Sequence, residues 1–190
     1  MAKNKYLKSS YDLSISSIRQ LQKDLQRYND SLVFKARELA ERLSEKGVKI
    51  ARVQIADLDA IFTGELIQSL HSEYKGSTEY GAIFAVVTDS EHCAFVEFGT
   101  GMIGRDNPYP YPLPSGVNWE YNTGKTIRQA QDDIVVHGDV YVKKGEYFWS
   151  YIGKDGKLHI TKGLPSRPFM YLTSLELQKE VVKIAKEIFK

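Results

Sequence analysis

The sequence has little of what a disulfide, a membrane helix or a nucleic-acid surface would need. Cys93 is the single cysteine among 190 residues, so no internal disulfide is possible and a reducing compartment such as the cytoplasm is indicated. The longest apolar run, near residues 82–87, is far shorter than the roughly 20 residues of a bilayer span. The N-terminal lysines are followed by no apolar segment, which argues against a signal peptide. With 26 basic and 24 acidic residues, a net charge of +2 favours protein over DNA as the main partner.

Patterns typical of catalytic or metal sites are also missing. The histidines have no pair at helical metal-ligand spacing, and GKT at residues 124–126 lacks the upstream glycine of a phosphate loop. Cys93 follows His92, but its apolar surroundings favour a small buried side chain over a nucleophile. The sequence therefore predicts no metal, no cofactor and no enzymatic activity. An enzyme is the alternative to a non-catalytic protein. It would be a small cytoplasmic hydrolase in which Glu97, His92 and an aspartate converge in one pocket. The aspartates considered are Asp57, Asp59, Asp132 and Asp133.

A long amphipathic helix is the first element that the sequence predicts. Apolar residues recur at a spacing of three or four from Ile15 to Leu43, which indicates a helix over about residues 14–46. A change of phase near residues 29–31 predicts a break, and Gly47 is expected to end the second half. Two interpretations remain open: the stripe covers the protein's own sheet, or it packs between subunits.

The rest of the chain predicts a single α+β domain over residues 1–190. Branched residues at 48–57 indicate a strand, and the apolar run within residues 80–89 indicates a central one. An insert at about 102–163 begins with a segment rich in proline and tyrosine and ends in a β meander with turns at residues 144–145 and 154–156. Aromatic residues on both sides of the strand between these turns predict that both of its faces are covered, one of them by a neighbouring molecule. A helix is predicted over about residues 168–190, with a lysine face turned to solvent. We expect the central strand and the meander to share one sheet that both long helices cover.

The segment HCAFVEFGTG at residues 92–101 holds an acidic residue, Glu97, within an apolar stretch. Gly99 and Gly101 can adopt backbone angles closed to other residues, so a sharp turn close to another backbone is expected there. Glu97 is then held at a fixed place. It is either part of a recognition corner at a subunit contact or a half-buried carboxylate paired with a local arginine or backbone amides.

Three short motifs occur in a fixed order along the chain. They are TGELIQSL at residues 63–70, AFVEFGTG at residues 94–101, and KGLPSRPFM at residues 162–170 before the last helix. This ordered set, spanning roughly residues 15–189, resembles the tail-completion and head–tail joining proteins of long-tailed, lambda-like bacteriophages. The first motif is expected to form a turn followed by a short helix or extended segment.

The resemblance implies a virion structural protein of the phage neck or tail. Such a protein would be assembled in the host cytoplasm and would complete the tail end. Its expected partners are identical subunits in a ring, with a hexamer expected, together with tail terminator, tail tube and head-connector proteins. DNA would pass close by, and no membrane is involved. A tail terminator or another connector protein is the nearest alternative, and a monomeric cytoplasmic binding module is a further one.

The site expected from the motifs is structural rather than catalytic. Because Arg167 and Glu97 lie in the two best-matching motifs, we expect the Arg167 guanidinium to hold the Glu97 carboxylate near the glycine turn. Tyrosines on a stiff segment at residues 107–116 are expected to be exposed, either as anchors for a neighbour or as part of a surface loop. The interface or structural candidates are Thr63, Gly64, Leu66, Glu97, Gly99, Thr100, Gly101, Tyr109, Tyr111, Arg167, Pro168 and Phe169.

Overall fold

The computed structural model describes residues 10–60, 64–121, 128–136, 140–152 and 156–190. It has the predicted α+β class, with two long helices, one near each end of the chain, and small antiparallel sheets. In chain order the elements are α1 (Ile15–Asp57), α2 (Glu65–Ser69), β1 (His71–Thr78), β2 (Gly81–Val87), α3 (Cys93–Phe98), α4 (Gly101–Asp106), β3 (Arg128–Gln129), β4 (Ile134–Val136), β5 (Val140–Val142), β6 (Tyr147–Ile152), β7 (Leu158–Thr161), β8 (Gly163–Leu164) and α5 (Phe169–Ile188).

The chain forms two compact units, each made of separated stretches of sequence. The first unit contains Met1–Ile50, His71–Val87 and Leu175–Lys190, and the second contains Ala51–Leu70 and Thr88–Ser174. Helices α1 and α5 each contribute residues to both units. The single-domain organisation stays a prediction. Within the described ranges, no helix combines the length and the apolar character that crossing a bilayer requires.

Helix α1 is continuous through both positions where an interruption was expected, so the predicted break at 29–31 and the predicted end at Gly47 are wrong. Gly47 is buried in the middle of the helix. A Cβ atom there would lie 2.6 Å from Val86 Cγ2 and 3.0 Å from Leu177 Cδ1. The glycine therefore allows β2 and α5 to approach α1 closely, although glycine within a helix costs about 1 kcal/mol relative to alanine.

The predicted strand at residues 48–57 is also wrong, because these residues form the last turns of α1. Val48, Ala51 and Ile55 are buried, and their spacing of three and four places them on one side of the helix. The β propensity of branched residues is weaker than the stabilisation gained by burying this helical stripe. Tertiary packing thus decides the local structure here.

Strands β1 and β2 form an antiparallel hairpin and make up a two-stranded sheet. The ladder has a bulge between Tyr74 and Gly76, where Gly76 has a φ of +146°. The predicted strand at 80–89 is therefore present as β2, but it is not central. The expectation that it shares a sheet with the meander is wrong, since β6 pairs with β3 and β7.

The meander region is divided between two small sheets. Strands β4 and β5 pair with each other, while β3, β6 and β7 form a three-stranded sheet in the order β3-β6-β7. Both contribute to one apolar cluster, whose members are Ala130, Val142 and Phe148 with Ile134 and Ile160 packed against them. The turn at residues 144–145 is confirmed, and the turn expected at 154–156 lies largely outside the described residues.

Strand β6 is partly exposed on both of its faces. Phe148 is buried in the cluster, but Ile152 on the same face and Tyr147 on the other face are exposed in this chain. The expectation that both faces of β6 are covered is therefore not met within the chain itself. Cover from a neighbouring molecule stays a prediction.

The predicted C-terminal helix is confirmed as α5, which begins directly after Pro168. Proline suits this place because the first helical turn leaves its N–H groups unpaired in any case. The predicted lysine face is exposed to solvent. Two of its members, Lys179 and Lys183, pair with the glutamate three residues earlier. Its lysines are Lys179, Lys183, Lys186 and Lys190.

Substitution of Gly47 tests the close packing of α1. We expect Gly47→Ala to lower the free energy of unfolding by about 1 kcal/mol, because overpacking outweighs the gain in helix propensity. In a Val86→Ala background the same substitution should cost less, since the closer of the two atoms that it meets is gone and only Leu177 Cδ1, at 3.0 Å, still has to shift. Urea denaturation of the four proteins of this double-mutant cycle measures the coupling. Additive effects of the two substitutions would contradict the packing account.

Candidate functional site

The candidate site is organised by Glu97, a residue of α3 that is 5% exposed. Its two carboxylate oxygens accept hydrogen bonds from the backbone N–H groups of Met170, at 2.8 Å, and Tyr171, at 3.1 Å. Both donors lie in the first turn of α5, where helical N–H groups have no partner within the helix. The Tyr109 hydroxyl donates a further hydrogen bond to the same carboxylate. Glu97 therefore caps α5 from a different element of the chain.

The charge state of this cap follows from its surroundings. Burial raises the pKa of Glu97, while the backbone donors and the Tyr109 hydroxyl act in the opposite direction. Because the pKa is raised, folding favours the protonated acid, and this contribution to stability falls as the pH rises through that pKa. The pKa of Tyr109 is raised to about 12 by burial and by the neighbouring Glu97 charge. Tyr109 therefore stays a hydrogen-bond donor at neutral pH.

The expected ion pair between Glu97 and Arg167 is wrong. Arg167 contributes its backbone N–H, which donates to the Val96 carbonyl oxygen at 2.8 Å. The Ser166 hydroxyl donates to the Glu97 carbonyl oxygen at 2.7 Å. The helix N-terminus supplies the favourable partial charge that the guanidinium was expected to supply. Of the alternatives left open by the sequence, the carboxylate bound to backbone amides is the one confirmed.

The sharp turn expected at the end of residues 92–101 is confirmed, and helix α3 leads into it. Gly99 has a φ of +81°, and a Cβ atom there would lie 2.7 Å from the Ser166 nitrogen. A Cβ atom on Gly101 would lie 2.6 Å from the Lys162 carbonyl oxygen. The backbone approached by this turn is therefore that of the KGLPSRPFM motif.

The two motifs are joined backbone to backbone. Antiparallel bridges connect Thr100 with Leu164 and Gly101 with Gly163. The Leu164 N–H also donates to the Thr100 hydroxyl at 3.2 Å. A Cβ atom on Gly163 would overlap the Thr100 carbonyl group, so the glycine is required for this approach. The sequence analysis did not identify Gly163 as a site residue. Its position as the second residue of the KGLPSRPFM motif was the sequence feature that could have identified it.

The tyrosines of residues 107–116 are turned toward their own chain, so the expectation that both are exposed is wrong. Tyr109 is buried and lies edge-on to Phe98, with ring centroids 5.0 Å apart. Tyr111 is half-buried and stacks on Tyr171 at 3.9 Å between centroids. Much of the segment does lie on the surface, including Leu113. The segment therefore fastens the α3 and α5 region through its tyrosines.

Two further aromatic residues that the sequence did not single out hold the glycine turn in place. The Trp119 indole N–H donates to the Gly99 carbonyl oxygen at 2.9 Å. The Tyr121 carbonyl oxygen accepts from the Gly101 N–H at 2.8 Å, and its hydroxyl accepts from the Tyr109 N–H at 2.8 Å. They follow the proline-rich segment without a recognisable motif, which is why only the structure identifies them.

The first motif lies in the same compact unit as the other two. Gly64 takes a left-handed conformation before α2, and Leu66 is buried. The Arg52 guanidinium donates to the Leu70 carbonyl oxygen at 2.9 Å and closes the end of the motif. Thr63 lies outside the described residues. Phe169, from the third motif, is fully buried at the start of α5, and Pro168 is buried beside it.

An open groove of about 530 Å³ runs beside the cap and includes Cys93, Glu97 and Tyr109 in its lining. Neither His92 nor any of the four aspartates considered for a hydrolase lines this groove. Burial and then the Glu97 charge raise the pKa of Cys93 to about 11, so its thiol is not activated. Among the described residues, no three His, Cys, Asp or Glu side chains are grouped so that they could hold a metal ion.

Comparison of the chain with protein-family models, with curated proteins and with solved structures found no match. The three motifs and their assembly in the fold are the features that bear on function. In that assembly, the Glu97 carboxylate caps a helix and the Cys93 thiol belongs to a half-buried side chain. The site holds α3 against the start of α5 and residues 100–101 against residues 163–164.

Replacing Glu97 tests the cap. We expect Glu97→Gln to lower the free energy of unfolding by about 1 to 3 kcal/mol, because the amide oxygen replaces only part of the carboxylate's accepting capacity. Urea denaturation at neutral pH measures the loss. Glu91→Gln is the matched control, since Glu91 is an exposed residue on the same groove and should change stability by less than about 0.5 kcal/mol. Equal effects of the two substitutions would rule out the cap.

The rate at which the Cys93 thiol reacts tests how far its surroundings in the groove beside Glu97 suppress the thiolate. At pH 8 we expect iodoacetamide to alkylate the folded protein about 100-fold more slowly than the urea-unfolded chain, because a pKa near 11 leaves little thiolate. Glu97→Gln should speed the reaction of the folded protein by removing a charge that disfavours the thiolate. Mass spectrometry follows the rate. Alkylation as fast in the folded state as in the unfolded state would contradict this account.

Proposed function

We propose that this protein is a virion structural component that completes the tail of a long-tailed phage and helps to join it to the head. The observation that carries the proposal is the assembly of the three resembling motifs in one compact unit. Two of them are bridged through Thr100 and Leu164 and through Gly101 and Gly163. The contact between these two motifs is made by glycines and backbone hydrogen bonds, which supports a structural role for them.

The side chains of the site support a joint more than a catalyst. Both oxygens of Glu97 accept backbone N–H groups, so this carboxylate is engaged within the fold. Burial holds Cys93 in its thiol form at neutral pH. The tyrosines Tyr109 and Tyr111 stabilise the unit from within, which leaves the outer part of residues 107–116 as its presented surface. In that part, Leu113 is exposed.

In the proposed role the protein works in the virion neck after assembly in the host cytoplasm. Identical copies form a ring, with six as the expected number, which requires a head-to-tail interface that closes on itself. Tail terminator, tail tube and head-connector proteins are the proposed neighbours, and DNA passes close by. The near-neutral net charge of +2 is suited to contacts that are mainly with protein.

Disruption of the gene in a phage that encodes this chain tests the proposal. We expect the mutant to produce filled heads and tails of normal length that stay separate in electron micrographs. Purified protein added to the mutant lysate should restore joined, infectious particles. Leu113→Ser should reduce this restoration if residues 107–116 contact a neighbour, while the exposed Lys179→Ser should restore it fully.

Each other outcome of this experiment has a definite meaning. Tails of abnormal length would assign the chain to the tail terminators and overturn the completion role. Normal joined particles made without the protein would overturn the structural role altogether. A Glu97→Gln protein that remains folded at the assay temperature but is destabilised should still restore joining, since Glu97 acts within the subunit.

A further inference from the structure

The first half of α1 carries apolar side chains that face solvent. Helix α1 has 43 residues, which corresponds to about 65 Å at 1.5 Å per residue. Within its first three turns Ile15 is 71% exposed, Ile18 is 51% exposed and Leu25 is 49% exposed. Large apolar residues at this exposure along one helix face indicate a surface that a partner covers.

These residues belong to a regular heptad pattern once two polar residues are included in it. From Ile15 to Leu43, the distance in sequence between one residue of the pattern and the next alternates strictly between three and four along a continuous helix. Such an alternation keeps one seam of a helix facing a partner helix. Positions a are Ile15, Gln22, Asn29, Ala36 and Leu43, and positions d are Ile18, Leu25, Leu32 and Leu39.

The later half of this seam is already used within the first compact unit. Ala36 packs against Gly81, where an added Cβ atom would lie 3.2 Å from the Ala36 side chain. Leu39 and Leu43 are half-buried, whereas Gln22 and Asn29 are exposed. One stripe is therefore covered by the protein's own hairpin at its C-terminal end and open at its N-terminal end.

We propose that the N-terminal part of the seam, Ile15 to Leu32, which is exposed as far as Asn29, pairs with the same segment of a second copy as a parallel, two-stranded coiled coil. Leucine occupies the d positions 25 and 32, as it does in two-stranded coiled coils. Asn29 at an a position is a residue that fixes register and the number of strands, because identical amides then face each other across the seam. Copies of one chain are the partners that supply such a match.

The charges beside the seam suit pairing between identical copies. In a parallel coil, Arg19 at an e position faces Ser14 of the other copy, and Gln26 faces Leu21, so no like charges meet. Asp24 lies away from the seam and accepts hydrogen bonds from Tyr11, at 2.8 Å, and from Gln20, at 2.7 Å. The described N-terminal residues that fold back onto the helix therefore lie on another side of it.

This inference stands apart from the proposed function, because it depends on α1 alone. A dimer in solution and a ring in a virion are separate observations. If the protein does not dimerise, the proposed virion role still stands on its own experiment, and the reverse also holds.

Sedimentation equilibrium of the full chain tests the pairing. We expect a reversible dimer, and we expect Leu25→Glu to raise its Kd about 100-fold or more, since both copies lose an apolar contact and gain a charge. Lys23→Glu introduces the same side chain at an exposed b position and should leave the Kd within about threefold. A wild-type protein that stays monomeric at about 100 µM would overturn the proposal, as would equal effects of the two substitutions.

Two variants test the parallel orientation of the paired helices and the role of Asn29 in the seam. In a Cys93→Ala background, Gln22→Cys should form a disulfide-linked dimer on mild oxidation, because a parallel register brings the two copies of residue 22 together, whereas Lys23→Cys should not. Asn29→Val should lower the Kd at least tenfold. Cross-linking that is equal at residues 22 and 23, or an Asn29→Val protein with unchanged Kd, would overturn the parallel pairing.

Discussion

The second compact unit depends on one buried carboxylate. Glu97 satisfies the N–H groups of Met170 and Tyr171 at the start of α5 and accepts the hydroxyl of Tyr109. A buried charge is costly unless polar donors surround it, so α3, α5 and residues 107–121 must keep their mutual arrangement while Glu97 is ionised. This single constraint explains why an acidic residue stands in an otherwise apolar segment.

Glycines make that arrangement sterically possible. The turn at Gly99 and Gly101 lies so close to the backbone of residues 162–166 that a Cβ atom would meet main-chain atoms at 2.6 to 2.7 Å. Main chain cannot move aside as a flexible side chain can, so larger residues would separate the two motifs. In the first unit Gly47 allows α1 to pack closely on β2 and α5, but there the atoms that a Cβ would meet belong to the side chains of Val86 and Leu177. Glycines in the sequence therefore mark the points at which two segments of the fold pack closely together.

Periodicity predicted the parts of the fold in which local and tertiary preferences agree. The class, helix α5, α2 and the turn at Gly99 followed from spacing and glycine chemistry. The segment 48–57 did not, because burial of Ala51 and Ile55 along a helix outweighs the strand propensity of its branched residues. The partner of Glu97 was missed for a different reason. Backbone N–H groups carry no sequence signal, so a nearby arginine, Arg167, was the partner that sequence could suggest.

The central claim is that this capped and glycine-bridged unit serves as a joint between phage tail and head. Quantitative mass spectrometry of purified virions, with heads and tails separated by mild disruption, tests it most directly. The account predicts that the protein is present in every particle at the copy number of a ring and stays with the neck end of the tail. Absence of the protein from purified, infectious virions would contradict the account.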